Sequence, residues 1–219
     1  MDSSPQIQVS LIVPVYNNLQ GVIRCIQWIA QQAMQIPMEV ILSDDASTEF
    51  NLLEMFQQPW IVQRNQSNLG FAGNCNVAAK RASAPYLCFV NSDIEGHPHS
   101  SIGNMIKAFD SLPNIGVVGP KLLFPQGTVQ SCGGYYDVGK GPYHRYLNFQ
   151  SDYDPACTSG VVPWITGALM MTPRSLFQQL GGFDEGYKRG YFEDVDYCER
   201  VKQAGFCVWY DAAQFSLIV

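Results

Sequence analysis

Short apolar runs alternate with helical patterns in the first half of the chain. The runs at 9–15, 38–42 and 86–90 have the length and composition of buried strands, and a shorter strand is predicted at 60–63. A helix is predicted at about 74–82, after a turn rich in glycine and asparagine. A helix between the first two strands ends before a proline, and its apolar face comprises Leu19, Val22, Ile23, Ile26, Ile29, Ala30 and Ala33. This alternation predicts βαβ units, and hence an α/β fold with a mostly parallel sheet flanked by helices.

The second half of the chain is less regular. Its longest stretch without a hydrophobic period, 133–163, is rich in Gly, Tyr, Asp and Pro. A loop of that length within a compact domain is usually functional. The elements predicted in this half are a helix at about 100–112, a strand at 115–119, a regular segment at 164–171, a helix at 173–180 and a last helix from near Asp194 to Gly205.

Length and composition narrow the class of protein. A chain of 219 residues suffices for one large domain, and its longest apolar run, 9–15, is far shorter than the roughly 20 residues of a membrane-spanning helix. We therefore expect a cytoplasmic protein without a signal peptide. The formal net charge of -6 argues against nucleic-acid binding, which needs clustered Lys and Arg. The apolar segment 215–219 has no terminating turn, which suggests a truncated domain or a longer parent protein.

The cysteines and histidines do not indicate a metal centre. The seven cysteines are odd in number and form no CxxC pair, so we expect small buried side chains rather than disulfides, a zinc site or a catalytic thiol. His97, His99 and His144 do not have the spacing of ligands on a helix, and we expect loop or surface positions for them.

Polar side chains follow three of the predicted strands directly. These clusters are Tyr16-Asn17-Asn18, Asp44-Asp45 and Asn91-Ser92-Asp93. Open α/β sheets bind ligands beyond the carboxyl ends of their strands, so the three clusters are expected to border one crevice. There Asp93 could hold a hard cation, because Mg²⁺ needs only one or two carboxylates when substrate phosphates supply further oxygens. Taken alone, the last triplet is more typical of a turn that caps its own backbone.

Two further segments have the features of ligand sites. Adjacent carboxylates on a strand point in different directions, so either Asp44 or Asp45 could accept a hydrogen bond from a base or a ribose; helix capping is an equal alternative. The segment 68–73 opens a helix with two glycines three residues apart, which would let backbone amides approach a ligand. It matches neither a Walker loop nor the dinucleotide fingerprint.

Three carboxylates occur at the predicted start of the last helix, in the sequence 192–197. The helix macrodipole favours ionised side chains there, and ordinary capping would explain them. The preceding run, 186–192, is aromatic and punctuated by glycine, which is more typical of a substrate loop than of a solvent-exposed turn. We therefore regard Glu193 and Asp194 as candidate site residues.

The motifs in their order resemble glycosyltransferase family 2, the inverting enzymes with the Rossmann-like A-type fold, and within it the rhamnosyltransferase-like branch. The resemblance covers about 9–210. It is carried by 13–18, 43–48, 68–73 with Asn76, 91–93, Thr166-Gly-Ala, 181–184 and 193–196.

The resemblance implies a role for each matching position. Asp93 would hold a divalent metal, Mg²⁺ or Mn²⁺, on the pyrophosphate, and Asp194, paired with Glu193, would be the general base. The donor-binding residues would be Pro14, Tyr16, Asn17, Asp44, Asp45, Asn68, Gly70, Asn76, Asn91 and Ser92. The chain departs from the family pattern at Ser92, where Pro is common, at Asn74-Cys75, and in lacking a His before Val219.

The resemblance also implies an activity and an organisation. We expect one catalytic domain over 1–219, with a nucleotide-binding half at about 8–120 and a smaller acceptor-side region at about 121–219. It would transfer a sugar from a UDP or dTDP donor to a saccharide or lipid-linked acceptor in surface polysaccharide or lipopolysaccharide synthesis, at the inner face of the membrane if the parent protein associates with it peripherally.

Two alternatives to this activity remain open. The first is a nucleotide-sugar-binding module without catalysis, which the missing His and the chain end favour. The second is a nucleotidyltransferase, which is weaker because no glycine-rich phosphate loop with a basic residue follows the first strand.

Overall fold

The computed structural model describes residues 6–57, 59–96, 101–187 and 190–218, and for 214–218 the backbone alone. The strands are β1 (Val9–Val15), β2 (Met38–Asp44), β3 (Ile61–Arg64), β4 (Tyr86–Val90), β5 (Ile94–Gly96), β6 (Ile115–Leu123), β7 (Val129–Ser131), β8 (Gly134–Asp137), β9 (Gly141–His144), β10 (Gly160–Val161), β11 (Leu169–Pro173) and β12 (Cys207–Ile218). The helices are α1 (Leu19–Ala33), α2 (Leu52–Met55), α3 (Gly70–Ala79), α4 (Ile102–Ala108), α5 (Arg174–Gln179) and α6 (Glu193–Gln203), with a 3₁₀ turn at Asp154–Cys157.

Both halves of the chain contribute to one main sheet. Its order is β10-β12-β6-β11-β4-β1-β2-β3, with β5 paired to β12 and β7 to β6. The strands β4, β1, β2 and β3 are parallel, as are β6 and β12, while β11 lies antiparallel between β4 and β6. The predicted mixed α/β architecture with a mostly parallel arrangement of its long strands is confirmed.

The sheet is covered on both faces, which explains why its central strands are apolar throughout. All seven residues of β1 are buried. Because side chains alternate across a strand, Ile12 packs into the core cluster that includes Phe89 and Tyr197, whereas Leu11 and Val13 pack into the opposite cluster with Ile29 of α1. Burial of each such side chain contributes about 1.5–3 kcal/mol.

Helix α1 fixes the turn that follows β4. It begins at Asn18, whose side chain accepts a hydrogen bond from the Gly21 amide at 3.2 Å. A Cβ at Gly21 would lie 2.9 Å from the Ser92 carbonyl oxygen, so only glycine permits this approach. The Cys25 thiol donates to the Asn91 carbonyl at 3.6 Å. The first turns of α1 therefore pack directly against residues 91–92.

The segment 133–163 contains more regular structure than its sequence predicts. β8 and β9 form an antiparallel hairpin that is a separate sheet, and the 3₁₀ turn and β10 follow it. The hairpin is anchored at Gly134, whose amide donates to the Trp164 carbonyl at 2.9 Å. A Cβ at Gly134 would lie 1.8 Å from the Trp164 ring, so this contact requires glycine.

Other predictions differ from the structure mainly at element ends. Helix α3 begins at Gly70 rather than near 74, and α4 covers Ile102–Ala108 rather than 100–112. His97, His99 and the predicted start of that helix lie outside the described residues. In the apolar segment at the chain end, residues 215–218 form the last part of β12, whose backbone pairs with β6 and β5, and Val219 lies outside the described residues.

Most cysteines are buried, as the sequence predicts, whereas Cys157 is exposed and Cys207 is half-buried. Five cysteines are buried, namely Cys25, Cys75, Cys88, Cys132 and Cys198, and the described part of the chain has free thiols only. No helix among the described residues is long and apolar enough to cross a membrane.

Candidate active site

Two adjoining cavities lie beyond the carboxyl ends of β1 and β4. The first, here called the carboxylate cavity, has a volume of about 540 Å³ and contains Asp93, Glu193 and Asp194 in its lining. The second, here called the strand-end cavity, has a volume of about 560 Å³ and is lined by Pro14, Tyr16, Asp45 and residues near them. Both are lined by Phe71, Asn91 and Asp93. The two cavities therefore form one cleft, and Asp93 belongs to the lining of both.

Asp194 is held in place by two backbone amides. Its Oδ2 accepts a hydrogen bond from the Gly167 N–H at 2.8 Å, and its Oδ1 accepts one from the Val195 N–H at 2.8 Å. Burial raises the pKa of this carboxyl, although the two amides act in the opposite direction. The result is an oriented carboxylate in the cavity lining, with a raised affinity for protons.

Glu193 is adjacent to Asp194, but one of its two carboxylate oxygens has no hydrogen-bond partner among the described residues. The residue is only 5% exposed, and its Oε2 makes no hydrogen bond to any described residue. Burial raises the pKa of Glu193 to about 7, and the neighbouring Asp194 carboxylate adds to the effect. A buried acceptor without a partner is rare in a folded protein and points to a ligand group.

The chain enters α6 through two residues in the left-handed region. Tyr191 has φ 78° and Phe192 has φ 73°, a conformation that is strained for large aromatic residues. Both side chains are exposed and line the carboxylate cavity. This strained turn aims Glu193 and Asp194 at the cavity from the first turn of α6.

Asp93 lies in the turn after β4, where the Ile94 amide donates to the Asn91 carbonyl at 3.0 Å. The turn that the sequence predicts is therefore present. Asp93 Oδ1 and Asn91 Oδ1 are buried and make no hydrogen bond within the described chain. Burial also raises the pKa of Asp93. Two buried oxygens without hydrogen-bond partners in the same cleft are suitable ligands for a hard cation.

A cation at this position would need ligands from a bound substrate. In the part of the chain that the structure describes, no group of three or more His, Cys, Asp or Glu side chains could hold a metal ion by itself. Asp93 and Asn91 can each supply one oxygen, which fits the pattern in which Mg²⁺ is held by one or two protein groups plus phosphates.

Seven of the predicted donor-binding residues line the strand-end cavity. They are Pro14, Tyr16, Asp45, Asn68, Gly70, Asn91 and Ser92. The structure also shows why the glycine-containing segment lies there. Asp45 accepts hydrogen bonds from the Leu69 and Gly70 amides at 2.9 Å each, so it fixes the start of α3. Of the two adjacent carboxylates, Asp45 is the one that faces the crevice.

Three predicted donor-binding residues do not reach either cavity lining. Asp44 is fully buried, accepts from the Ser47 amide at 2.8 Å and pairs with Arg64. The Asn17 side chain accepts from the Thr48 amide at 2.9 Å.

Asn76 contacts a different part of the fold. Its side chain donates to the Phe183 carbonyl at 2.8 Å and accepts from the Phe183 amide at 2.9 Å. It therefore joins α3 to the turn after α5 and does not extend the nucleotide side of the cleft.

Sequence reasoning missed several residues that line the cleft. His144 lies in β9 and packs edge-on against Trp164 at 4.9 Å, and its Nδ1 is 3.1 Å from Ser131 Oγ. Burial lowers the pKa of His144, while the nearby Asp194 carboxylate opposes that effect. His144 therefore lies in a strand rather than a loop, half-buried at the surface of the cleft. The only signal in the sequence was the long aperiodic segment around it. The other missed lining residues include Asn74, Gln130 and Trp164.

The chain is similar in sequence to known glycosyltransferases. A family model described as glycosyl transferase family 2 matches residues 10–181. The chain is 31% identical over 192 residues to the O-antigen biosynthesis protein RfbC of Myxococcus xanthus, covering 83% of this chain and 15% of that protein. It is 29% identical over 198 residues to an N-acetylglucosaminyl-diphospho-decaprenol L-rhamnosyltransferase of Mycobacterium tuberculosis, covering 80% of this chain and 64% of that protein. The chain thus spans less than two thirds of each of these relatives.

Solved structures share the fold at low sequence identity. GalNAc-T7, crystallised with UDP, GalNAc and Mn²⁺, superposes with a TM-score of 0.79 at 15% identity, covering 97% of this chain and 44% of that one. The mannosyltransferase PcManGT of Pyrobaculum calidifontis, in complex with GDP-Man and Mn²⁺, gives 0.69 at 18% identity, covering 98% of this chain and 57% of that one. The predicted A-type fold is confirmed, and the chain belongs to glycosyltransferase family 2, with rhamnosyltransferase-like relatives.

Proposed function

We propose that the chain is the catalytic domain of an inverting glycosyltransferase, which moves a sugar from a nucleotide diphosphate to an acceptor hydroxyl. The observation that carries this proposal is that Asp93 and Asp194, a hundred residues apart in the chain, line the same cavity. The Asp93 carboxylate lies where the two cavities meet. The Asp194 carboxylate comes from the first turn of α6. A transferase needs both a phosphate-side and an acceptor-side group in one cleft.

The strand-end cavity is the proposed nucleotide site. Tyr16 offers an exposed ring for a base or ribose, and Asp45 faces the same space while fixing the Gly70 turn. Because the protein has net negative charge, a diphosphate would depend on local groups. The donor we propose is a UDP or dTDP sugar; the two similar structures were solved with UDP and with GDP-Man.

Asp93, with Asn91, is the proposed holder of a divalent cation, Mg²⁺ or Mn²⁺. Their unpartnered buried oxygens border both cavities. When bound, such an ion supplies Lewis-acid stabilisation of negative charge on the departing nucleotide diphosphate. Both similar structures were solved with Mn²⁺.

Asp194 is the proposed general base. The two amides from Gly167 and Val195 fix the direction of its carboxylate, and burial raises its pKa toward the range in which a base is effective. The acceptor hydroxyl gives its proton to this carboxylate as its oxygen attacks the anomeric carbon. Attack in one displacement occurs on the face opposite the leaving group, so the anomeric configuration inverts. Glu193 is proposed to hydrogen-bond a substrate hydroxyl through its free Oε2.

The biological setting is proposed from the relatives. Their names refer to O-antigen biosynthesis and to a rhamnosyltransferase for a lipid-linked acceptor. We therefore propose a saccharide or lipid-linked acceptor, a role in cell-surface polysaccharide synthesis, and a cytoplasmic domain that works at the inner face of the membrane as part of a longer protein.

A panel of nucleotide sugars tests this proposal directly. The melting temperature is measured with UDP-, dTDP- and GDP-sugars, each with and without Mn²⁺, since a ligand of the native state raises stability by mass action. We expect one donor class to stabilise the protein, more so with Mn²⁺, and that donor to release its nucleoside diphosphate on incubation with acceptor glycans. Binding without any transfer or donor hydrolysis would instead identify a nucleotide-sugar-binding module. Pyrophosphate release from a nucleoside triphosphate would identify a nucleotidyltransferase.

A further inference from the structure

A groove lined by aromatic side chains lies beside the cleft and has no role in the function proposed above. We call it the aromatic groove; its volume is about 660 Å³, and it is lined by Tyr135, Pro142, Tyr143, His144, Arg145, Tyr146, Leu147 and Phe149. Exposed large apolar side chains concentrate in this part of the chain, which points to a binding surface rather than to scattered exposure.

The rings of the groove are ordered by contacts with one another. Tyr135 and Tyr143 are directly opposite in the β8–β9 hairpin, with ring centroids 5.9 Å apart, and each is 43% exposed. Tyr146 packs against Phe149 at 5.8 Å and against Tyr153 at 5.1 Å. Because these rings are already fixed, a ligand that stacks on them costs little conformational entropy.

The groove is continuous with the carboxylate cavity. Pro142 and His144 line both spaces. A ligand that has one hydroxyl near Asp194 can therefore pass His144 and extend along Tyr143 without leaving the surface of the protein. A monosaccharide at Asp194 would leave the groove empty, whereas a longer acceptor would fill it.

The polar atoms in the groove decide which ligand fits. The tyrosine rings carry hydroxyl groups, and the Arg145 guanidinium lies 5.1 Å from the centroid of the Tyr146 ring without a carboxylate partner among the described residues. A pyranose presents a C–H face that stacks on an aromatic ring and hydroxyls at its edge that hydrogen-bond such groups. A hydrocarbon chain would leave the same polar groups desolvated and unpaired, at a cost.

We propose that the aromatic groove binds the sugar unit next to the one that receives the transferred glycosyl group. This inference rests on the proposed transferase function, and it makes the acceptor a glycan of at least two sugar units. Tyr135 and Tyr143 stack on the second unit, Arg145 hydrogen-bonds its edge, and His144 lies at the junction between the two sugar positions.

Binding to immobilised glycans tests the proposal without donor or turnover. The probes are mono-, di- and trisaccharides that contain rhamnose, glucose or N-acetylglucosamine. We expect the wild-type protein to bind at least one di- or trisaccharide at least tenfold more tightly than its constituent monosaccharides. Tyr143→Ala should remove that preference, and Tyr143→Phe, which keeps the ring, should retain most of it.

Tyr136→Ala is the matched control. Tyr136 adjoins Tyr135 in β8 and has the same exposed fraction, but it lies on the other face of the hairpin and hydrogen-bonds Glu199. We expect it to keep the preference. Equal losses in Tyr136→Ala and Tyr143→Ala, an unchanged preference in Tyr143→Ala, or no glycan binding by the wild type would each overturn the proposal. Stabilisation by a nucleotide sugar is measured on the same proteins, and its absence would count against the transferase function instead.

Discussion

Glu193 and Asp194 are adjacent at the start of α6, yet their carboxylates are held in different ways. Asp194 accepts a hydrogen bond from the Gly167 amide and another from the Val195 amide. Glu193 is almost fully buried, and its Oε2 has no partner among the described residues. Both oxygens of the Asp194 carboxylate are therefore oriented by backbone amides, whereas Oε2 of Glu193 is available to a substrate or a proton. The two residues should respond differently to substitution.

Asp194→Asn should abolish catalysis while leaving donor binding intact. The amide keeps an acceptor for one backbone N–H but cannot take a proton, and loss of a general base lowers turnover by about 10²- to 10⁴-fold. The measurement is nucleoside diphosphate release in the presence of acceptor, with donor affinity from calorimetry. Asp196→Asn is the control, because Asp196 pairs with Arg200 on the same helix outside the carboxylate cavity. Wild-type turnover in Asp194→Asn would refute the assignment of the base.

Glu193→Gln should weaken the pH dependence of stability. We expect the free energy of unfolding of the wild type to fall as pH rises, and the variant to show less of this decrease. The pKa of Glu193 increases from 4.5 to about 7 on folding. Between these values the unfolded chain binds fewer protons than the folded protein, so the free energy of unfolding falls as pH rises and then levels off above about 7. This difference in pKa corresponds to an unfolding free energy of about 3 kcal/mol.

Urea denaturation at pH 5 and pH 8 measures this effect. We expect the difference in unfolding free energy between the two pH values to shrink in Glu193→Gln and to stay unchanged in Glu54→Gln, at an exposed position of α2. An unaltered pH dependence in Glu193→Gln would mean that Glu193 ionises at its ordinary pKa in the folded protein.

Asp93→Ala should remove the part of donor binding that depends on a divalent cation. Ligand at 100 times its Kd stabilises a protein by about 2.7 kcal/mol, and we expect the Mn²⁺-dependent share of that stabilisation to disappear. The measurement is the thermal shift produced by the donor at several Mn²⁺ concentrations. Asp152→Ala, at an exposed position away from both cavities, should behave as wild type. A full Mn²⁺ response in Asp93→Ala would place the cation elsewhere.

Asp44→Ala should reduce stability and leave the affinity for donor unchanged in the folded fraction. Asp44 is fully buried and pairs with Arg64, and breaking a buried pair costs about 3 kcal/mol or more. Asp137→Ala, which removes an exposed pair with Lys140, should cost less than about 1 kcal/mol. Urea denaturation gives both values. A donor affinity that falls tenfold in Asp44→Ala at unchanged stability would restore Asp44 to the nucleotide site.

The sequence predicts the strands of the first half well because burial on both faces requires continuous apolar runs. β1 and β4 occur at the predicted residues, 9–15 and 86–90. The start of α3 was placed too late because its first turn is held by Asp45, a residue 25 positions earlier in the chain. The local signal at the helix start is Asn68, whose side chain accepts a hydrogen bond from the Gly70 amide at 3.1 Å.

The parts of the site that sequence could not predict depend on contacts between distant residues. Whether Asp44 or Asp45 faces the cleft is decided by the strand register and by Arg64, which takes Asp44 as its partner. His144 lines the cleft because its short strand packs on Trp164, and a four-residue strand without alternation gives no period to detect. In contrast, Asp93 and Asp194 were predicted from their order in a motif set, and both line the carboxylate cavity.

The β8–β9 hairpin forms a sheet separate from the main one and is anchored through the fit of Gly134 against Trp164. Its exposed positions can therefore change in evolution without disturbing any ladder of the central sheet, where β1, β2 and β4 shape the strand-end cavity. The hairpin side of the cleft can therefore vary in sequence while the side formed by the central strands is kept. Under the proposed function, grafting the hairpin of a relative onto this chain, with the glycine retained, should change the acceptor preference and keep the original donor.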